Sequence, residues 1–486
     1  MSYVINGYEP AKLFQFFEDI AAVPRPSFHC EAISNFLVDW AKARDLEVEQ
    51  DEFFNVIIRK PGQNGGEEAA MVALQGHIDM VPEKLAGCPH DFLTEGLELQ
   101  VVDGYLSANG TTLGADDGVA VALMMTVLDD DNIACPPLEC IFTADEEVGL
   151  IGAEKLDKRR IQSKTLINLD SEEEGVATVS SAGGMTINMT RSVRKHSAAG
   201  HMITIRIAGL LGGHSGTDID FGHVNADKLM ARALKTLLDA DPYAQIVDFK
   251  GGNMDNAIPR EAMATVLFHS SDSADKAVTL LQHLHDDFHA EIRPYEPDFK
   301  FNIKQSMEVE VAALNVEDSR ALVHAIMLLP DGTQARNANM DNFVVCSTNL
   351  GIVRTYDNEM KLVCLPRSSV ASLQKDVFNR ILLVAETFGF HLEVESSYPG
   401  WAYKEDSPVR DTFVAVYEQL FGEPMQVLAM HAGLETGLFA ADMPGLDAIS
   451  VGPTLSGVHT PDEKMELASC QRFYQLLVGV LENLAL

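Results

Sequence analysis

The stretch TTLGADDGVAV (111–121) sets two carboxylates side by side, Asp116 and Asp117, in a glycine-bounded and otherwise apolar run. Adjacent ionised acids in a low-dielectric turn repel each other and shift upward in pKa unless a cation compensates. Metal binding is one chemistry that resolves the conflict; an Asp-Gly turn with one acid capping the following helix is the other. Four further segments offer ligand types: LQGHIDMV (His77, Asp79), TADEEVG (Asp145, Glu146, Glu147), NLDSEE (Asp170, Glu172, Glu173) and SGVHTPDE (His459, Asp462). His77 and Asp79 are spaced i, i+2, so on an extended strand end both side chains point the same way. One can ligate while the other takes the second N–H of the imidazole. Glu146 and Glu147 end an apolar run and face different directions, which lets one carboxylate ligate while its neighbour faces a substrate. Asp170 ends TLINLD in the same way.

The elements that must position these residues follow from hydrophobic spacing. Residues 9–22 and 29–45 carry apolar side chains at helical intervals (Leu13, Phe16, Phe17, Ile20; Ile33, Phe36, Leu37, Trp40), which predicts two opening helices. Strand-like runs follow in NVIIR (55–59), AAMVALQGH (69–77), LECIFTA (138–144) and TLINLD (165–170), with a helical pattern from Gly118 to Leu128. Strands alternating with helices predict an α/β fold with a mostly parallel central sheet flanked by helices. The ligand-type residues lie at strand ends or in the loops just after them, where open α/β sheets gather their ligands.

The texture changes near residue 185. MTINMTRSV (185–193) and MITIRIAG (202–209) predict half-exposed strands, and 224–239 and 274–292 predict amphipathic helices. A second α+β stretch covers 300–395, with strands in 343–353 and 361–366 and a helix near 370–388. SSYPGW (396–401) then marks a return, and AIS (448–450) is a short buried-strand candidate before the loop that carries His459. The predicted organisation is one domain over 1–185 and 398–486, interrupted by an inserted α+β domain over 186–397.

Composition excludes several classes. At 486 residues the chain exceeds what one core fills, since single cores stop growing near ~250–300 residues. Seventy-two Asp and Glu against 36 Lys and Arg leave a net charge of −36, which repels phosphate backbones and anionic lipid. Nucleic acid and membrane surfaces are therefore excluded as partners, and most of the acidity serves solubility. The seven cysteines form no CxxC pair, and the first residues, MSYVINGYEPAKLFQFFEDI, have neither a basic n-region nor a long apolar run. A cytoplasmic protein with reduced thiols is expected.

The ordered set H-x-D, A-D-D, D-E-E, a later Asp and a C-terminal His resembles the co-catalytic zinc peptidases of the M20 type. GLLGGHSG (209–216), GGNMDNAIPR (251–260) and HAGLETG (431–437) are similar to the aminoacyl-histidine dipeptidase, or peptidase D, branch of that family. The resemblance runs from the first helix to the C-terminus. It implies a zinc-exopeptidase-like catalytic domain with the inserted domain as a lid. It also implies two zinc ions, one held by His77, Asp116 and Asp170 and the other by Asp116, Glu147 and His459, with Asp116 bridging. A donor set of carboxylates and imidazoles suits zinc and would tolerate cobalt or manganese. By the same resemblance Asp79 partners His77, Glu146 is the general base, and the Asp116–Asp117 peptide is cis. His214 would stabilise an oxyanion from the lid of its own or a partner subunit, and Asn256, Arg260 and Arg367 would bind the terminal carboxylate of the substrate. The implied activity is hydrolysis of Xaa-His dipeptides such as carnosine, and of other dipeptides, by a homodimer joined through the lid.

Other readings compete. HLHDDFH (283–289) spaces His285 and His289 at i, i+4, but lacks the Glu directly after the first histidine that H-E-x-x-H chemistry needs. GGHSG falls short of the G-x-S-x-G serine elbow. Within metallopeptidases the alternative is a co-catalytic zinc aminopeptidase, and from another class an N-acyl-amino-acid amidohydrolase. A catalytically silent binding protein has no need of Asp79 and Glu146.

Overall fold

Two opening helices, α1 (Ala11–Ala21) and α2 (Glu31–Lys42), bury the stripes that their spacing predicts, Leu13, Phe16, Phe17 and Ile20 on the first and Ile33, Leu37 and Trp40 on the second, with Phe36 only half-buried. The computed structural model describes residues 3–338 and 342–486. The chain divides into two compact units: Met1–Ser180 with Trp401–Ala429 and Leu434–Leu486, and Ser181–Gly400 with Met430–Gly433.

The first unit is built on eight strands: β1 (Glu47–Gln50), β2 (Val56–Lys60), β3 (Val72–His77), β4 (Leu138–Thr143), β5 (Thr165–Asn168), β6 (Val176–Ser181), β7 (Gln426–Met430) and β8 (Asp447–Ser450). They are hydrogen-bonded in the order β1-β2-β4-β3-β5-β8-β6-β7. The four middle strands, β4, β3, β5 and β8, run parallel. The β1–β2, β2–β4 and β8–β6 pairs are antiparallel, so the sheet is parallel at its centre and mixed at its flanks. Every residue of β3, β4 and β8 is buried, the condition of parallel strands covered on both faces.

Helix α3 (Ala115–Asp129) is buried at every position from Ala115 to Leu128 and packs on both β3 and α1. A helix that is apolar all round belongs in a core. It begins earlier than the pattern from Gly118 predicts: Gly114, left-handed at φ 64°, precedes it, and Asp116 and Asp117 depart from helical geometry inside its first turn. A small antiparallel sheet of Leu455–Ser456, Lys464–Glu466, Tyr105–Ala108 and Leu99–Val102, in that order, makes the loop carrying His459 the tip of a hairpin.

The second unit is an antiparallel sheet whose path runs through strands 300–313, 196–208, 262–268, 245–251, 343–355, 359–368, 183–192 and 391–398, with 332–337 added beside 343–355. Four helices, Ala226–Ala240, Ser271–Ile292, Val316–Leu328 and Ala371–Phe388, share one continuous core with it. No helix among the described residues is long and apolar enough to cross a membrane.

Candidate metal centre

Parallel strands point their carboxyl ends the same way, and three of the five ligand segments emerge from those ends, while Asp116 comes from the first turn of α3 and His459 from the hairpin loop. Strand β3 finishes on His77; β4 finishes at Thr143, just before Asp145, Glu146 and Glu147; β5 finishes at Asn168, just before Asp170. Positions far apart in sequence converge for that reason.

Asp116 lies at the middle of the cluster. Its Oδ1 is 2.9 Å from His77 Nε2 and its Oδ2 is 3.1 Å from His459 Nε2. The His459 Nε2 is also 3.0 Å from Glu147 Oε2, and His77 Nε2 is 3.8 Å from Asp170 Oδ1. Two triads result, His77–Asp116–Asp170 and Asp116–Glu147–His459, each with one donor atom per residue and all three within 4.8 Å of one another. Glu146 joins His77 and Glu147 in a third grouping of the same tightness.

Two further acids hold this arrangement from behind. Asp79 Oδ1 is 3.3 Å from His77 Nδ1, and its carboxylate accepts the backbone N–H groups of Glu146 (3.0 Å) and Glu147 (3.3 Å) and the Ser27 hydroxyl (2.8 Å). One buried side chain thereby orients the imidazole and the adjacent acid pair together. Asp117 turns away from the triads: its Oδ2 accepts the His77 backbone N–H at 3.1 Å, and the peptide that joins it to Asp116 is cis. Gly76 makes room for it, since a Cβ there would lie 2.4 Å from Asp117 Oδ2. Glu172, Glu173 and Asp462 are exposed and outside the groupings, while Asp145 accepts the Phe28 N–H at 2.6 Å.

So many acids in one buried place distort one another's titration. Burial pushes Glu146 up to about 8, with repulsion from Glu435 and Glu147 adding to it. Burial likewise drives Asp117 and Asp170 well above the usual carboxylate range, and neighbouring carboxylates reinforce the shift. Burial opposes ionisation of Asp116 too, but hydrogen bonds from His459 and His77 outweigh it and hold this acid below its ordinary value. Hydrogen bonds to Asp116 and Glu147 lift His459 to about 10. Burial would lower His77, yet its bonds to Asp116 and Asp79 raise it well above the ordinary histidine range.

The donor set fits a pair of divalent cations. Each triad supplies two carboxylates and one imidazole, the mixture that zinc, cobalt or manganese accepts. The two oxygens of Asp116 face different imidazoles, and Glu147 Oε1 is buried without a hydrogen-bond partner, an unmet need that a cation would answer.

The remaining site residues expected from sequence, His214, Asn256 and Arg367, come together within the second unit. His214 and Asn256 lie on adjoining segments: Gly213 and His214 pair with Ile258 and Ala257, and the Ser215 N–H donates to the Asn256 carbonyl at 2.8 Å. His214 Nδ1 accepts the N–H groups of Gly216 (3.3 Å) and Thr217 (3.2 Å), which leaves the ring proton on Nε2. Burial and the Arg367 guanidinium lower its pKa, favouring the neutral donor. Arg367 is buried and bonds to the Tyr398 hydroxyl at 2.8 Å and the Ser215 hydroxyl at 3.5 Å. Among the described residues no carboxylate lies within ion-pair distance of it. Arg260 instead donates to the Leu210 carbonyl.

Sequence reasoning missed several participants. Glu435 is fully buried and takes bonds from Gln75 (2.5 Å) and the Thr143 hydroxyl (2.7 Å), with burial raising it to about 7. His431, held at about 4 by burial and Arg367, bonds to the Ser347 hydroxyl at 2.7 Å in the second unit. Both belong to HAGLETG, so the motif was visible while the roles were not. Arg25 and Glu463 carried no chemical signature in sequence, because their partners are backbone groups.

The model of Peptidase family M20/M25/M40 matches residues 73–483. The cytosol non-specific dipeptidase of Escherichia coli (strain K12) is 34% identical over 483 residues, covering 99% of both chains. The crystal structure of aminoacylhistidine dipeptidase from Vibrio alginolyticus superposes with a TM-score of 0.94 at 34% identity, over 98% of this chain and 97% of that one. Aminopeptidase PepT from Bacillus cereus shares the fold at a TM-score of 0.57 and 18% identity, over 99% of this chain and 100% of the other.

Proposed function

The chain belongs to peptidase family M20/M25/M40 and is a peptide-bond hydrolase, and we propose that it is a metal-dependent dipeptidase acting on a range of dipeptides, Xaa-His among them. The observation that carries this reading is Asp116, whose two oxygens face two imidazoles 2.9 and 3.1 Å away, each within its own triad of donors. The names of its relatives, a non-specific and an aminoacylhistidine dipeptidase, support the substrate class and a cytosolic setting.

His77, Asp116 and Asp170 hold one divalent cation, and Asp116, Glu147 and His459 the other, with zinc the first choice and cobalt or manganese as substitutes. Such a pair supplies electrophilic polarisation of the scissile carbonyl and a water of lowered pKa. Glu146 is the general base: it takes the proton of the attacking water and returns it to the leaving amine. Asp79 fixes the tautomer and orientation of His77. His214, neutral with its proton on Nε2, donates to the oxyanion that develops on the former carbonyl oxygen. Arg367 and Asn256 bind the free carboxylate that distinguishes a dipeptide from a longer chain. The second unit acts as the lid that brings these groups to the substrate, in a homodimer joined through that unit.

The test is a purified protein stripped by chelator, then restored with Zn²⁺, Co²⁺ or Mn²⁺ and assayed on Xaa-His dipeptides, other dipeptides, tripeptides and N-acyl amino acids. Restored cleavage confined to dipeptides is expected. Failure of every divalent ion to restore activity refutes the metal dependence, and turnover of N-acyl amino acids over dipeptides moves the enzyme to the amidohydrolases.

A further inference from the structure

Two buried side chains outside the ligand set converge on the main chain that carries Asp116. Glu463 is 2% exposed, and its carboxylate accepts four consecutive backbone N–H groups. Oε2 takes those of Leu113 (2.7 Å) and Gly114 (2.9 Å), and Oε1 those of Ala115 (2.8 Å) and Asp116 (3.3 Å). Arg25, 1% exposed, grips the same turn by its carbonyl: Nη2 donates to the Gly114 oxygen, while Nη1 donates to Ile78 (3.1 Å) and Asp79 (3.0 Å). Gly114 is required there twice over, by its φ of 64° and because a Cβ would lie 2.6 Å from Arg25 Nη2.

These contacts join the segments that bear the ligands. Glu463 closes the hairpin loop that carries His459, since Ser456 pairs with Lys464 directly beyond it. Arg25 stands beside Pro26, which bridges to Met80, and Ser27, which bonds to Asp79 at 2.8 Å. Residues 25–27, 77–80, 113–116 and 459–463 are thus tied at the level of the main chain.

We infer that Glu463 and Arg25 are positioning residues of the metal centre, a two-sided clamp that fixes the backbone of Asp116 so that its two oxygens face His77 and His459. The inference rests on the two-metal reading of the site. Neither side chain touches the reacting atoms; each acts through the peptide groups it binds. A carboxylate has about four lone-pair sites, and all four are used here, so no neutral side chain of the same size reproduces the contact. The fork of Arg25 is similarly matched to three carbonyls, which a lysine ammonium cannot span in the same geometry.

The full-length protein and its Glu463→Gln and Arg25→Lys variants are stripped of metal and titrated with Co²⁺ against a competing chelator. The visible spectrum of each cobalt protein, circular dichroism of the stripped proteins and steady-state kinetics on a dipeptide are recorded alongside. The expected result is folded variants with Co²⁺ affinity weakened roughly 10–100-fold, the size usual for losing a partner behind a ligand, together with a shifted cobalt d–d band and a fall in kcat larger than any rise in KM. A folded Glu463→Gln protein that binds two Co²⁺ with the affinity and spectrum of the unsubstituted protein overturns the clamp. Should Glu463→Gln not fold, Arg25→Lys is judged by the same criteria. Failure of the unsubstituted protein to bind Co²⁺ overturns the two-metal reading, and the clamp with it.

Discussion

The different roles proposed for two neighbouring acids give the sharpest test of the site. Glu146 and Glu147 follow one another at the end of β4, yet only Glu147 belongs to a triad with Asp116, its Oε2 lying 3.0 Å from His459 Nε2. Replacing Glu146 by Gln preserves shape and removes the proposed proton acceptor. It leaves both triads, His77–Asp116–Asp170 and Asp116–Glu147–His459, with all their donors. The loss should therefore fall on the chemical step: general base catalysis contributes about 10²–10⁴-fold, or about 2.7–5.4 kcal/mol of barrier at 1.36 kcal/mol per tenfold. Glu147→Gln instead weakens one donor in a set of three, and the protein should lose the cation on the His459 side. The assay pairs kcat/KM on a dipeptide with metal content after gel filtration. Two metals per chain and less than a hundredth of the activity are expected for Glu146→Gln, against one metal for Glu147→Gln. If Glu146→Gln keeps more than a tenth of the activity, or sheds metal as Glu147→Gln does, the division of roles is wrong.

Other consequences are open to measurement. Arg367→Ala should raise KM for dipeptides by about 10–100-fold, the value of a charge-assisted contact of roughly 1.5–3 kcal/mol, and should leave the already poor KM for C-terminally amidated dipeptides unchanged; an equal rise for both substrates argues against carboxylate recognition. Gly76→Ala places a Cβ 2.4 Å from Asp117 Oδ2 and 2.6 Å from the Ala120 Cβ, so thermal unfolding should show a loss of about 1–3 kcal/mol from overpacking, and an unchanged melting point contradicts the tight approach. Burial raises Asp331 to about 6 while the Leu350 N–H and Lys228 oppose the shift. A carboxyl raised in the folded state favours folding below its unfolded pKa near 4 and loses that contribution as pH climbs through 6, by about 3 kcal/mol for two pKa units and about 1–2 after allowance for partial exposure. Asp331→Asn should flatten the denaturant-measured stability profile between pH 4 and pH 7; an identical slope in both proteins refutes the assignment.

How far the fold could be read in advance depended on which strands are covered. NVIIR, LECIFTA and TLINLD belong to β2, β4 and β5, buried along nearly their whole length, and a strand covered on both faces is a continuous apolar run that stands out from its surroundings. Strands 300–313 and 391–398 lie at the two edges of the second sheet and are exposed over most of their length. KFNIKQSMEVEVAA and HLEVESSY carry too little apolar contrast to announce a strand; long-range pairing makes them one. The strand predicted from Met202 extends back to His196 for the same reason, since its first residues pair with 300–313 and bury little.

The site divides along a similar line. Histidines and adjacent acids are conspicuous residue types, and five such segments in order were enough to bring His77, Asp116, Glu147, Asp170 and His459 onto one list. Residue types alone do not select among neighbouring acids; the family resemblance does so for Glu146 and Glu147, and the backbone for the acids beside His459. In SGVHTPDE the residue singled out beside His459 was Asp462, which is exposed, whereas Glu463 is buried against four N–H groups. No side-chain pattern records a partner that is a peptide bond. The pair in GADDG shows the same limit from the other direction, because residue types leave both a ligand and a helix-capping turn open for these acids, and it is the family resemblance that names Asp116 as the bridge. Asp116 faces both imidazoles, while Asp117 bonds to the His77 backbone and is driven toward its neutral form by burial and by Asp116 itself. The repulsion expected of adjacent carboxylates is therefore eased on one side by the two imidazoles that face Asp116 and on the other by the burial that drives Asp117 upward in pKa.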